Sequence, residues 1–266
     1  MKRLWKYVAL ALVLAAAVGL WAWQPWHHAS IDESIVMVPV APGVTPPAGR
    51  EDVVAIFYSG DGGWRDLDQS LGKIMASHGI PVVGISLLKY YWRERSAADS
   101  AADLDALITR MTAQGDKRRI WLIGFSFGAD VLPSIVGNLS AEGRARIAQI
   151  VMLSPSRDVN FEIEMEGYMK EGWWKTHTQD FFQWINPVHH SDAKPPLLAL
   201  NGHPPVVCYY GIKDKDDTIC ADPGLPSWIK VYEKTGDHHF DYNYEGLARQ
   251  MIDDLPAAVP ASAGAH

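Results

Sequence analysis

Two hydrophobic registers alternate along this chain. Continuous apolar runs at 52–58, 80–88, 119–123, 147–153, 206–210 and 228–232 lack the in–out alternation of a half-exposed strand, so each predicts a strand buried on both faces. Between them, apolar residues recur at helical spacing. The stretch 97–111 carries Ala101, Leu104, Leu107, Ile108 and Met111 on one face, and 67–79, 128–139 (despite Pro133) and 244–255 read as helices too. A further short strand is expected over 34–40. Buried strands alternating with helices predict an α/β fold, a mostly parallel central sheet covered by helices on both sides.

Two stretches break the alternation. At the N-terminus Lys2, Arg3 and Lys6 precede the uncharged run Tyr7–Trp23, with Trp21, Trp23 and Trp26 at its far end. A basic start, an apolar run and an aromatic belt describe an export signal or a membrane anchor, not part of the fold. Ala15–Ala17 offers small residues for cleavage, so residues 1–26 are either retained as an anchor or removed. Residues 27–50, rich in proline, read as a linker, 51–255 as one domain and 256–266 as a disordered tail. The second exception is 157–195, where Phe161, Tyr168, Trp173, Trp174, Phe181, Phe182 and Trp184 crowd together. An aromatic-rich excursion between two sheet strands is the expected place for a lid over a site.

The formal charge of −7 becomes more acidic once the basic N-terminus is set aside, because no carboxylate precedes Asp32. Nucleic acid is therefore excluded as the main partner, since phosphate binding needs clustered Lys and Arg. Two cysteines cannot build a disulfide scaffold or a four-thiolate zinc site. His27-His28 and His189-His190 lack neighbouring ligands at metal spacing, so neither a metal nor a cofactor is expected.

Candidate chemistry centres on Gly124-Phe125-Ser126-Phe127-Gly128. This G-x-S-x-G follows a predicted strand and opens a predicted helix, the context of a nucleophile elbow. The serine is lifted off the strand end, and the helix N-terminus favours developing negative charge. A serine hydroxyl needs a base to take its proton, and in this arrangement an acid and then a histidine follow in sequence. The loop after 206–210 offers Asp214, Asp216 and Asp217, and Gly236-Asp237-His238-His239 follows the last strand. Only one of the two adjacent imidazoles can be the base. The order Ser126, Asp217, His239 is the preferred reading. The oxyanion needs two backbone N–H donors. Phe127 is one; the other is expected in Ser59-Gly60-Asp61-Gly62-Gly63, at Asp61 first and Gly62 next.

Four motifs in order then carry a resemblance: Tyr58–Trp64 (YSGDGGW), Ile123–Asp130 (IGFSFGAD), Cys208–Gly211 with Asp217–Cys220 (CYYG and DTIC), and Gly236–Asp241 (GDHHFD). Over roughly residues 50–255 the chain resembles the AcvB/VirJ family of bacterial periplasmic proteins. The resemblance implies an α/β-hydrolase fold and hydrolysis of the aminoacyl ester of lysyl-phosphatidylglycerol, with links to virulence and type IV secretion. It places the nucleophile on Ser126, the acid on Asp217 and the base on the histidine pair. The partners it implies are an aminoacylated phospholipid, the inner-membrane surface and secretion-system components. This sequence departs from the pattern at Asp237, where glycine is expected, and in an acid loop one residue longer. In an oxidising periplasm Cys208 and Cys220, which bracket the acid loop, are expected to be bridged and to hold Asp217 in place. For a cationic substrate the net acidity is favourable. The run Phe161–Glu166 alternates strictly, so as a strand it would set three carboxylates on one face, either solvated or able to attract a lysyl ammonium group.

Overall fold

A computed structural model describes residues 2–23, 28–113, 116–163 and 189–258. Seven strands form one sheet: β1 (Ile35–Val38), β2 (Val53–Tyr58), β3 (Val82–Ile85), β4 (Arg119–Phe125), β5 (Ile147–Leu153), β8 (Val206–Gly211) and β9 (Ile229–Lys234). Their order is β1-β3-β2-β4-β5-β8-β9, with β1 antiparallel to β3 and every other pairing parallel. A parallel sheet needs both faces covered. Alternate residues of β2 duly enter opposite cores: Val54, Ile56 and Tyr58 on one side, Val53, Ala55 and Phe57 on the other.

Helices α5 (Ala97–Ala113) and α6 (Phe127–Asn138) cover the first face through Leu104, Leu107, Leu132 and Ile135. Helix α3 (Asp66–Ser77) and the closing helix α9 (Tyr244–Asp254) cover the second through Leu67, Leu71, Leu247 and Met251. Each such side chain, fully removed from water, contributes roughly 1.5–3 kcal/mol. Short helices α2 (Ile31–Ser34), α4 (Leu87–Tyr90), α7 (Ala141–Arg146) and α8 (Lys194–Ala199) complete the frame.

Two expectations are corrected here. Residues 27–50 are more than a linker: a capping box at Ser30 and Glu33 opens α2, and β1 then pairs along the edge of the main sheet. The strand expected over 80–88 ends at Ile85, because the Ser59 hydroxyl accepts the Leu87 N–H and the chain turns into α4 instead. The two-residue strands β6 (Asp158–Val159) and β7 (Ser191–Asp192) pair and close the base of the aromatic-rich excursion. Most of the expected lid, residues 164–188, lies outside the described residues, as do Trp26 and residues 259–266 of the tail.

The N-terminal segment forms a single helix, α1 (Lys2–Trp23). Among the described residues no helix is long and apolar enough to cross a membrane. The side chains of Trp5–Gly19 in α1 are all exposed.

Candidate active site

Ser126 sits between β4 and α6 with φ 51° and ψ −122°, a strained conformation for a residue with a side chain. The residues two positions to either side are glycine because the packing leaves no alternative. A Cβ on Gly124 would lie 2.5 Å from the Gly128 carbonyl carbon, and one on Gly128 would lie 2.3 Å from the Tyr58 carbonyl oxygen. The Ser126 N–H donates to the Leu153 carbonyl of β5, which locks the elbow to the sheet. Its hydroxyl has no hydrogen-bond partner among the described residues and opens on a cavity of about 350 Å³. Asp61 and Phe127, the two residues expected to donate to an oxyanion, line that same cavity.

The acid and the histidine come together at the C-terminal ends of β8 and β9. Asp214 closes a turn of 3-10 helix after β8, and its carboxylate lies 3.2 Å from His238 Nδ1. The Lys213 N–H donates to the Gly236 carbonyl and ties the two loops together. The His238 ring rests 5.1 Å from the ring of Phe125, the residue before the serine, and the Ser154 hydroxyl donates to the His238 carbonyl. Burial pushes the His238 imidazole below its ordinary value, and the Asp214 carboxylate opposes that push.

The preferred sequence reading paired Asp217 with His239, and the structure does not form that pair. Asp217 is exposed, and its side chain has no hydrogen bond or ion pair among the described residues. His239 has different polar partners: its ring also lies 5.6 Å from that of Phe125, but its Nδ1 lies 3.2 Å from the Tyr244 hydroxyl and the ring stacks on Tyr242. Adjacent residues project in different directions, so the loop that aims His238 at the acid must aim His239 at α9. The disulfide Cys208–Cys220 is formed, and it encloses the loop that carries Asp214.

Sequence reasoning missed much of the cavity wall. Besides Asp61, and Glu162 from the acidic run noted in the sequence, it holds Asp130 and Asp158, together with Ser156, Asn160 and His190; residues 161–163 form no strand, and no lysine or arginine lines the cavity among the described residues. Asp130 lies one helical turn after Ser126, a spacing that could have revealed it. It is 6% exposed and accepts the Ser156 N–H at 2.6 Å. Burial pushes its carboxyl up to about 7 against the pull of the Ser156 N–H and hydroxyl, and Asp158 and Asp61 add to the rise. A second cleft, of about 240 Å³ between α5 and α7, holds no group of this site. Among the described residues no three carboxylate, histidine or cysteine side chains are grouped to hold a metal ion.

The strand order, the single antiparallel edge and the serine on a strained β4–α6 turn define an α/β-hydrolase fold. Two solved esterases share it at low identity: Est1E from Butyrivibrio proteoclasticus (TM-score 0.50, 12% identity, 82% of this chain and 92% of that one) and Pf2001 from Pyrococcus furiosus (TM-score 0.51, 13% identity, 82% and 90%). Residues 52–259 match the family described as bacterial virulence protein (VirJ), and the chain belongs to that family. A comparison with curated proteins finds no match.

Proposed function

We propose that this chain is a serine ester hydrolase that removes a cationic aminoacyl group from a phospholipid, with lysyl-phosphatidylglycerol as substrate. The carrying observation is the acidic cavity that opens on Ser126. An ester whose carbonyl sits over Ser126 would place its acyl side chain among Asp61, Asp130, Asp158 and Glu162. A charge-assisted contact between one of these and an ammonium group contributes about 1.5–3 kcal/mol, enough to favour a lysyl over a neutral acyl group by tenfold or more.

The proposed chemistry uses these groups in turn. His238 takes the Ser126 proton as the hydroxyl attacks the acyl carbonyl, and Asp214 on Nδ1 holds the ring in the required tautomer and supports the imidazolium. The Ser126–His238 contact is made when substrate is bound, as catalytic hydrogen bonds often tighten only in the complex. The N–H groups of Phe127 and Asp61 stabilise the oxyanion; the Gly62 N–H is already donated to the Asp61 carboxylate. The imidazolium then gives its proton to the leaving glycerol oxygen. Water, deprotonated by His238, attacks the acyl-enzyme and releases the amino acid. An aminoacyl ester is already an activated acyl donor, so these side chains suffice.

The VirJ family and the basic, apolar N-terminus support a periplasmic site, with residues 1–26 either holding the domain at the inner-membrane surface or cleaved during export. Contacts with secretion-system components fit the same placement. The test is purified full-length protein in detergent, given lysyl-phosphatidylglycerol, alanyl-phosphatidylglycerol and p-nitrophenyl butyrate side by side. The lysyl lipid should have the highest kcat/KM. A higher value for the neutral ester replaces the lipid reading with a general esterase. Inertness to all three and to a fluorophosphonate probe makes the fold a non-catalytic adaptor.

A further inference from the structure

The proposed reaction leaves one buried carboxyl near the site without a role. Asp68, in the first turn of α3, is 2% exposed, and its Oδ1 is buried with no hydrogen-bond partner. An orphaned buried oxygen costs about 1–3 kcal/mol, so stability alone does not account for it. Its carboxyl faces the backbone N–H groups of Arg65 and Gly60. Gly60 directly precedes Asp61, which shares the cavity with Ser126 and Phe127. Arg65 closes the other end of the same loop, immediately before α3.

We propose that Asp68 is a positioning residue for the oxyanion-binding loop: its buried carboxyl sits against the peptide groups of Gly60 and Arg65 and so holds the Asp61 N–H toward the cavity over Ser126. This rests on the serine-hydrolase reading above.

The protonation state of Asp68 gives the idea a signature that packing alone would not produce. Burial pushes the carboxyl up to about 8; Asp66 adds to the rise, while the Arg65 guanidinium and the two N–H groups oppose it. From α9 the Tyr244 hydroxyl faces the same region and is influenced by both Asp66 and Asp68. Strands β1 and β3, which also pack on α3, contribute Ile35–Val38 and Val82–Ile85, none of them titratable. At pH 7 the carboxyl is therefore neutral, and the loop carries no buried negative charge behind the position where the oxyanion forms. Above pH 8 it ionises and opposes that charge.

The experiment measures kcat and KM from pH 6 to 9.5 for wild type, Asp68→Ala and Asp68→Asn, on whichever of lysyl-phosphatidylglycerol or p-nitrophenyl butyrate wild type turns over, with thermal melts alongside. Asp68→Ala should lose about 10–100-fold in kcat with KM within about threefold, less than outright removal of an oxyanion donor. The isosteric Asp68→Asn should recover most of that loss and should lack the wild-type decline in kcat above pH 8. If Asp68→Ala fails to fold, the asparagine profile decides alone. An asparagine variant with the same alkaline decline as wild type, or an alanine variant within twofold of wild type, overturns the proposal while leaving the hydrolase reading intact. A wild type inert to both esters and to fluorophosphonate overturns the reading and this proposal together.

Discussion

The two halves of the candidate machinery are held by different physics. At the β4–α6 elbow the backbone dictates residue type: the neighbouring strand and helix come so close that only glycine fits at 124 and 128, and Ser126 is pinned at a positive φ by its N–H bond to β5. At the ends of β8 and β9 the backbone leaves the choice open. Three aspartates lie within four residues, two histidines are adjacent, and the turns alone decide which imidazole meets which carboxylate. A residue imposed by local sterics can be read from a motif. A pairing set by the relative placement of two loops cannot.

The largest expected effect tests the elbow. Ser126→Ala should lower kcat by about 10³–10⁶-fold, abolish fluorophosphonate labelling and leave the melting temperature nearly unchanged, because the residue sits on a turn rather than in the core. Residual turnover above a tenth of wild type would remove Ser126 as the nucleophile.

The loop half is tested next by two matched pairs. His238→Ala and Asp214→Asn should each cost about 10²–10⁴-fold in kcat, whereas His239→Ala and Asp217→Asn should cost less than about tenfold. Reversed rankings would restore the Asp217–His239 pairing. Wild-type kcat/KM should also rise with pH through a midpoint below 6.5, because the base must be neutral and burial lowers its pKa. A midpoint above 7 would show that the Asp214 charge, not burial, dominates at His238.

A smaller effect concerns selectivity. Asp130 ionises near pH 7, so KM for the lysyl lipid should fall as pH rises through 7 and the cavity gains a charge. Asp130→Asn should lose that trend and about tenfold of the lysyl-over-neutral preference, measured as a ratio of kcat/KM values. The stability consequence has the opposite sign. A carboxyl raised in the folded state favours folding less as pH climbs from about 4 to 7, so the asparagine variant should show a flatter melting profile across that range.

The smallest effect on turnover is expected at the bridge. Cys208→Ser should lower kcat by less than about tenfold by loosening the loop that carries Asp214, and should lower stability by at most ~3 kcal/mol, the chain-entropy value for so short a loop. Denaturation of wild type with and without reductant measures the stability change. No change in either would separate the bridge from the acid loop.

Read alone, the sequence determined the sheet-and-helix alternation, the elbow and its glycines, and the bracketing of the acid loop by the two cysteines. Each depends on interactions local to the chain: hydrophobic periodicity, backbone sterics and turn chemistry. Only the tertiary structure recruited Ile35–Val38 to the sheet edge, since an edge strand needs a partner rather than a strong pattern of its own. It also chose Asp214 and His238 over Asp217 and His239, through a hydrogen bond between residues 24 positions apart. And it gathered Asp61, Asp130, and the nearby pair Asp158 and Glu162 from three separate segments onto one wall, where what matters is not the identity of any acidic residue but its distance from the others.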